Sequence, residues 1–146
     1  MAQTVTSSAG QSVGARRLQR LMFVAAAVVG AVVVWGIATA AGVKLLQPAQ
    51  GTATPMELGV GMVIFASAFA TLAGWGLLAL LEKFVGNPRR TWTIVAVIFL
   101  VLSFGGPLTG TGVTTANRLV LLAMHIVVGA IFIPLMARSA HGSRPA

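Results

Sequence analysis

Four long apolar runs free of Lys, Arg, Asp and Glu dominate this 146-residue sequence, at residues 21–41, 58–81, 91–109 and 119–137. A membrane helix needs roughly 20 mostly apolar residues to cross about 30 Å of hydrocarbon. The runs are continuous and lack the two-residue alternation of membrane-barrel strands. Only 8% of residues are charged, against about 25% in soluble domains. The sequence therefore predicts an all-α polytopic membrane protein, a four-transmembrane-helix bundle with short loops, and excludes a soluble globular domain.

The remaining segments are short. Residues 1–15 and 139–146 are rich in small and polar residues, and we expect them to be disordered tails around a membrane domain of residues 16–138. The second loop contains the strongest turn signal, Gly86 followed by Asn87 and Pro88. Glycines and a proline at residues 105–110 predict a helix stop and a turn after the third span, with a re-entrant mouth as the alternative.

Lys and Arg are distributed unevenly between the two sides of the predicted bundle. Eight of the ten flank the side that holds both tails and the middle loop, whereas only Lys44 and Arg118 lie on the other side. By the positive-inside rule, we expect a multi-pass protein of the cell inner (plasma) membrane with both termini cytoplasmic. Alternatively, the first run and the sequence Ala38, Thr39, Ala40 resemble a signal peptide with its cleavage site.

His125 is the only ionisable residue near the middle of a predicted span. A midplane imidazole can relay protons, bind a ligand or titrate near neutral pH. It can also hydrogen-bond to a hydroxyl on another helix and so hold the bundle together. Ser67 and Thr71 lie at comparable depth in the second span, and we favour this structural interpretation while keeping all three residues as a candidate polar site.

The two acidic residues are both assigned to helix ends. Thr54, followed by a proline and then by Glu57, matches a capping box that would start the second helix at the outer interface. An outward-facing ion site is the alternative for Glu57. Glu82 adjoins Lys83 at the other end of the second span, and we expect it to be a solvated charge.

The residues needed for common enzyme chemistry are missing. The chain contains neither Asp nor Cys, and a metal site normally needs three or four ligands. The sequence therefore predicts no enzymatic activity, no metal and no cofactor. The net charge of +8 comes from residues at helix ends, so it does not form the continuous basic face of a nucleic-acid-binding protein.

The second half of the chain resembles a known family. The resemblance extends over about residues 18–138 and is most specific where Arg89 and Arg90 precede Trp92, and where Met124 precedes His125. The motifs that carry the resemblance are Asn87, Pro88, Arg89, Arg90, Thr91, Trp92 and Thr93; Gly106, Pro107, Leu108 and Thr109; and residues 124–130 with Pro134 and Arg138. On these motifs, the chain resembles an actinobacterial family of four-helix integral membrane proteins whose function is unknown. The resemblance implies four spans and implies no activity or substrate.

Three hypotheses for function remain. The first and favoured one is a structural or accessory protein of the cell membrane, because the spans contain few polar groups and no loop is large. The second is a small homo-oligomeric transporter or channel that uses His125. The third is a binder of a lipid or other apolar ligand. Expected partners are the lipid bilayer and either a second copy of the chain or another membrane protein.

Overall fold

The computed structural model describes residues 13–51 and 53–141. The helices within this part are α1 (Val13–Ala40), α2 (Val60–Phe84), α3 (Pro88–Ser103), α4 (Gly105–Thr109) and α5 (Thr115–Arg138), and the strands are β1 (Leu46–Gln47) and β2 (Met56–Glu57). Four helical segments are long and apolar enough to cross a membrane: α1, α2, α3 together with α4, and α5. The predicted four-helix membrane bundle is confirmed.

The helices extend beyond most of the apolar runs. Helix α1 begins at Val13 and α5 at Thr115, so both include charged or polar turns before the uncharged stretch. Of the predicted disordered tails, residues 1–12 and 142–146 lie outside the described residues. The prediction is wrong for the others, because residues 13–15 form the first turn of α1 and residues 139–141 contact the bundle.

The helices surround a narrow centre in the order α1, α2, α3, α5. The tightest contact is between α1 and α5, where Ala27 and Ala31 of α1 are buried. A Cβ on Gly30 of α1 would lie 2.8 Å from Ile131 Cδ1. Small residues thus let the two backbones approach closely, as is usual for helix association in lipid.

A short antiparallel hairpin connects α1 to α2, where the sequence analysis expects only a loop. Its two strands pair Leu46 with Glu57 and Gln47 with Met56. Asn117, in the first turn of α5, is almost fully buried. Its side chain accepts a hydrogen bond from Leu46 N and donates one to Leu46 O, both at 2.9 Å. The side-chain amide of Asn117 thus pairs with Leu46 as the backbone of a neighbouring strand would, and it links the hairpin to α5.

The hairpin also explains why the predicted capping box is wrong. Helix α2 begins at Val60 with Gly59 as its N-cap, and no side chain caps it. Glu57 lies in β2 because its pairing with Leu46 keeps the backbone extended. Thr54 and Glu57 therefore lie before the helix and do not cap it.

We call the side of the bundle that holds this hairpin and α4 the hairpin end, and the opposite side, with the turn between α2 and α3, the tail end. At the hairpin end the helix stop predicted for residues 105–110 is wrong, because the chain turns once at Phe104 with its backbone still in the right-handed helical region and residues 105–109 form α4, which ends at Gly110. Arg118 donates hydrogen bonds to Leu108 O at 2.6 Å and Gly110 O at 2.7 Å.

At the tail end Asn87 caps α3, and Pro88 occupies the first helical position.

Candidate functional site

A cavity of about 850 Å³ lies between α2, α3 and α5. It extends from Trp92 near the tail end to Gln50 at the hairpin end. It exists because α2 touches α5 at few points while each contacts α3, and because most α2 residues that line it are small. These small residues are Ala66, Ser67, Ala70, Thr71, Ala73 and Gly74, and the larger Met62, Val63 and Leu77 also line it.

The three residues of the predicted midplane site, His125, Ser67 and Thr71, all line this cavity. The hydrogen bond expected between the imidazole and a hydroxyl is absent from the described residues. Ser67 Oγ instead donates to Val63 O at 2.6 Å, and Thr71 Oγ1 donates to Ser67 O at 2.7 Å. Such bonds to the carbonyl four residues earlier are an ordinary arrangement for hydroxyls in membrane helices.

The geometry of His125 defines its tautomer. Its Nδ1 lies 2.7 Å from Leu121 O, and a carbonyl oxygen can only accept, so Nδ1 carries the proton. In a neutral imidazole the other nitrogen is then an acceptor. No described residue forms a hydrogen bond with Nε2, and His125 is partly exposed where it lines the cavity. Phe104 packs edge-on against the ring, with centroids 6.3 Å apart. The mostly apolar wall of the cavity thus contains one imidazole, whose Nε2 is an acceptor in the neutral ring.

A second polar cluster at the tail end joins α1, α2 and the residues after α5. The Arg20 guanidinium is buried and donates to both carboxylate oxygens of Glu82, at 3.1 and 2.5 Å. It also donates to Ser139 O at 2.8 Å and Ser139 Oγ at 3.1 Å. His141 N donates to Glu82 at 3.1 Å. Each of the three guanidinium nitrogens donates at least one of these hydrogen bonds, and the Glu82 carboxylate compensates the buried charge.

This cluster corrects the sequence analysis at Glu82, which is a partner of Arg20 and not a solvated charge. One signal in the sequence points to it. Glu82 is the only acidic residue at the end where most of the cations lie, so it is the natural partner for a cation that faces inward. Within residues 13–51 and 53–141, no group of three His, Cys, Asp or Glu side chains could hold a metal ion.

The comparison with protein families decides where the chain belongs. A family model described as a family of unknown function, DUF6069, matches residues 11–142. The chain is a member of this family. The DUF6069 match includes all four membrane-length helices, the cavity and the tail-end cluster. It confirms the resemblance to a family of unknown function. No curated protein and no solved structure matches the chain significantly.

Proposed function

We propose that this membrane protein binds a neutral lipid carrying a hydroxyl group in the cavity between α2, α3 and α5. The observation that supports the proposal is an apolar cavity of about 850 Å³ with one unpaired imidazole nitrogen in its wall. Ligand sites in proteins typically have volumes of about 300–1,000 Å³ and combine apolar walls with a few polar groups. The cavity matches both features.

The tautomer of His125 determines which hydrogen-bonding group the ligand must offer. Because Nδ1 donates to Leu121 O, Nε2 offers a lone pair and requires a donor. An alcohol supplies a donor, whereas a lipid with only carbonyl or ether oxygens does not. An anionic group would lose its hydration in this apolar wall without gaining a cation. The ligand class is therefore a long-chain or polycyclic alcohol.

Two other roles are weighed against ligand binding. A structural or accessory role in the membrane requires a partner surface, and the apolar outer faces of the helices fit lipid as well as protein. A transport role requires a polar path, but the hydroxyl, imidazole and amide side chains lining the cavity are those of Ser67, Thr71, Ser103 and His125 on the helices and of Gln47 and Gln50 at the hairpin end. A pore for polar solutes needs more polar residues along its path. Binding without catalysis is the role that this cavity favours.

Native mass spectrometry of protein purified in mild detergent tests the proposal. We expect wild-type protein to retain one neutral lipid alcohol per chain. His125→Ala should lower this retention by removing the acceptor, and Ala70→Phe should abolish it by filling the cavity. Leu72→Phe is the matched control, since Leu72 is exposed and does not line the cavity. A wild-type protein that emerges without lipid refutes the proposal, and a stoichiometric second protein favours the accessory role.

A matched pair of probes tests the hydroxyl itself. Oleyl alcohol and its methyl ether share the apolar chain, and the ether lacks the donor. A ligand at one hundred times its dissociation constant stabilises a protein by about 2.7 kcal/mol. We expect the alcohol to raise the melting temperature of wild-type protein more than the ether. The difference should vanish in His125→Ala, and equal effects in the wild type would contradict a role for His125.

We further propose that the protein lies in the plasma membrane of an actinobacterium with its tail end in the cytoplasm. The Lys and Arg asymmetry supports this orientation. The chain has no cysteine, so single cysteines give a clean test. Gly86→Cys, in the tail-end turn, should resist an impermeant thiol reagent in intact cells, and Ala53→Cys, near the hairpin, should react. The reverse pattern would overturn the orientation.

A further inference from the structure

We propose that a second cleft, at the tail end between α3 and α5, binds the headgroup of an anionic phospholipid. The cleft has a volume of about 620 Å³. Arg89 and Arg90 line it from the first turn of α3, and Arg138 lines it from the last turn of α5. Ile94 and Pro134 add apolar surface. It is separate from the His125 cavity, and the two share no lining residue.

No acidic side chain neutralises these three arginines. The chain has only two acidic residues. Glu57 lies at the hairpin end in β2, and Glu82 is held by Arg20 and by His141 N. Among the described residues, the one ion pair is therefore already formed elsewhere, and the three guanidinium groups of the cleft have no anion.

The position of the arginines strengthens the need for an external anion. Arg89 and Arg90 lie in the first turn of α3, which contains no acidic residue. The N-terminal end of a helix carries a partial positive charge and attracts anions. Two arginines at this end are repelled by the partial positive charge of the helix N-terminus. An anion bound between them would offset this repulsion. A phosphate would pair with both and would be held by the guanidinium groups in a bidentate manner.

The apolar part of the cleft favours a lipid phosphate over a free one. Ile94 is half exposed, and Pro134 is exposed beside it, one turn from the arginines along α3 and α5. A phospholipid would place its phosphate against the arginines and its glycerol and first acyl carbons against these two residues. Basic pockets between membrane helices recognise anionic headgroups in this way. Inorganic phosphate would leave the apolar surface of Ile94 and Pro134 uncovered.

Competition between two lipids tests the proposal on the purified full-length chain. The protein is equilibrated with equal amounts of phosphatidylglycerol and phosphatidylcholine, and bound lipid is counted by native mass spectrometry. We expect wild-type protein to prefer phosphatidylglycerol. Replacing Arg89, Arg90 and Arg138 with Gln should reduce that preference by about a hundredfold, which is about fivefold for each arginine.

The control variant also removes three positive charges from the tail end of the bundle. Arg16, Arg17 and Lys83, also replaced with Gln, lie outside the cleft. This variant should keep most of the preference. An equal loss in both variants would show general surface attraction and overturn the site. Displacement of the lipid by inorganic phosphate, with equal stabilisation by both, would overturn the lipid assignment.

A measurement on unmodified protein does not depend on whether the variants fold. Phosphatidylglycerol with a photoactivatable group near the glycerol should label peptides that contain residues 87–94 and 134–138. Labelling spread evenly over the tail-end surface, or concentrated on α1, would contradict the proposal.

Discussion

Removing the carboxylate of Glu82 should destabilise the bundle more than removing any exposed charge at the tail end. Glu82→Gln keeps the size of the side chain and removes the negative charge. Arg20 would keep Ser139 as a partner but would lose its only counter-ion within the described residues. The buried guanidinium would then be charged and uncompensated, which is the costly half of a broken ion pair.

The magnitude follows from burial. Removing one partner of a buried pair costs about 3–5 kcal/mol. The Arg20 side chain is 8% exposed and that of Glu82 is 20% exposed, so we expect the lower end of that range, about 3 kcal/mol. Lys83→Gln, at the adjacent exposed position, should change the free energy of unfolding by less than about 0.5 kcal/mol.

A double-mutant cycle in detergent micelles measures this energy. The free energy of unfolding is compared for wild type, Arg20→Met, Glu82→Leu and the double variant, with loss of helical signal as the readout. Each single change should cost about 3 kcal/mol, and the double variant should cost much less than the sum, because removing both charges leaves no uncompensated group. Additive effects, or a Glu82→Gln variant as stable as Lys83→Gln, would refute the reasoning and restore Glu82 as a solvated charge.

Three further changes test other contacts. Asn117→Ala should cost about 2 kcal/mol by removing two hydrogen bonds to β1, and hydrogen exchange should show the hairpin opening. Gly110→Ala places a Cβ 2.3 Å from that of Pro48 and should cost about 1–3 kcal/mol in thermal unfolding, whereas Gly105→Ala, with nothing within 4 Å, should not destabilise. Trp92→Phe removes a 2.9 Å hydrogen bond to a carbonyl of α2 and should lower the unfolding free energy by about 1 kcal/mol. Unchanged stability in Asn117→Ala or Trp92→Phe, or equal losses in the two glycine variants, would contradict these contacts.

The membrane spans were predictable because lipid imposes a local rule. Each span has to be continuous, helical and apolar, and these properties can be read along the chain. The positions at which the helices begin and end were less predictable from the sequence. The first turns of α1 carry Arg16 and Arg17 and are helical all the same, since a helix that leaves the hydrocarbon satisfies its backbone regardless of side-chain polarity.

Contacts between distant segments could not be derived from local patterns. Glu82 and Lys83 are neighbours in sequence, but successive helical residues point about 100° apart. Lys83 therefore faces outward while Glu82 faces Arg20, a partner 62 residues away. The same limitation explains the error at Glu57, where strand pairing with Leu46 replaced the expected cap.

The hydroxyls of the central site show a different limitation. Depth along the helices grouped Ser67 and Thr71 with His125, and all three line the same cavity. Depth alone could not reveal that each hydroxyl is already used by its own helix. The lone pair left on the imidazole became visible only once these internal hydrogen bonds were known.

The tail-end cluster also sets an order of assembly during synthesis. Arg20 reaches the membrane early, its carboxylate partner follows 62 residues later, and Ser139 follows 119 residues later. At about 5–20 residues per second, the last partner is made on the order of 10 s after the arginine. A chain halted after residue 138 should therefore contain every span and yet stay sensitive to protease at its tail end. Ser139 and His141, just after α5, therefore complete a cluster whose arginine lies in a helix made long before them.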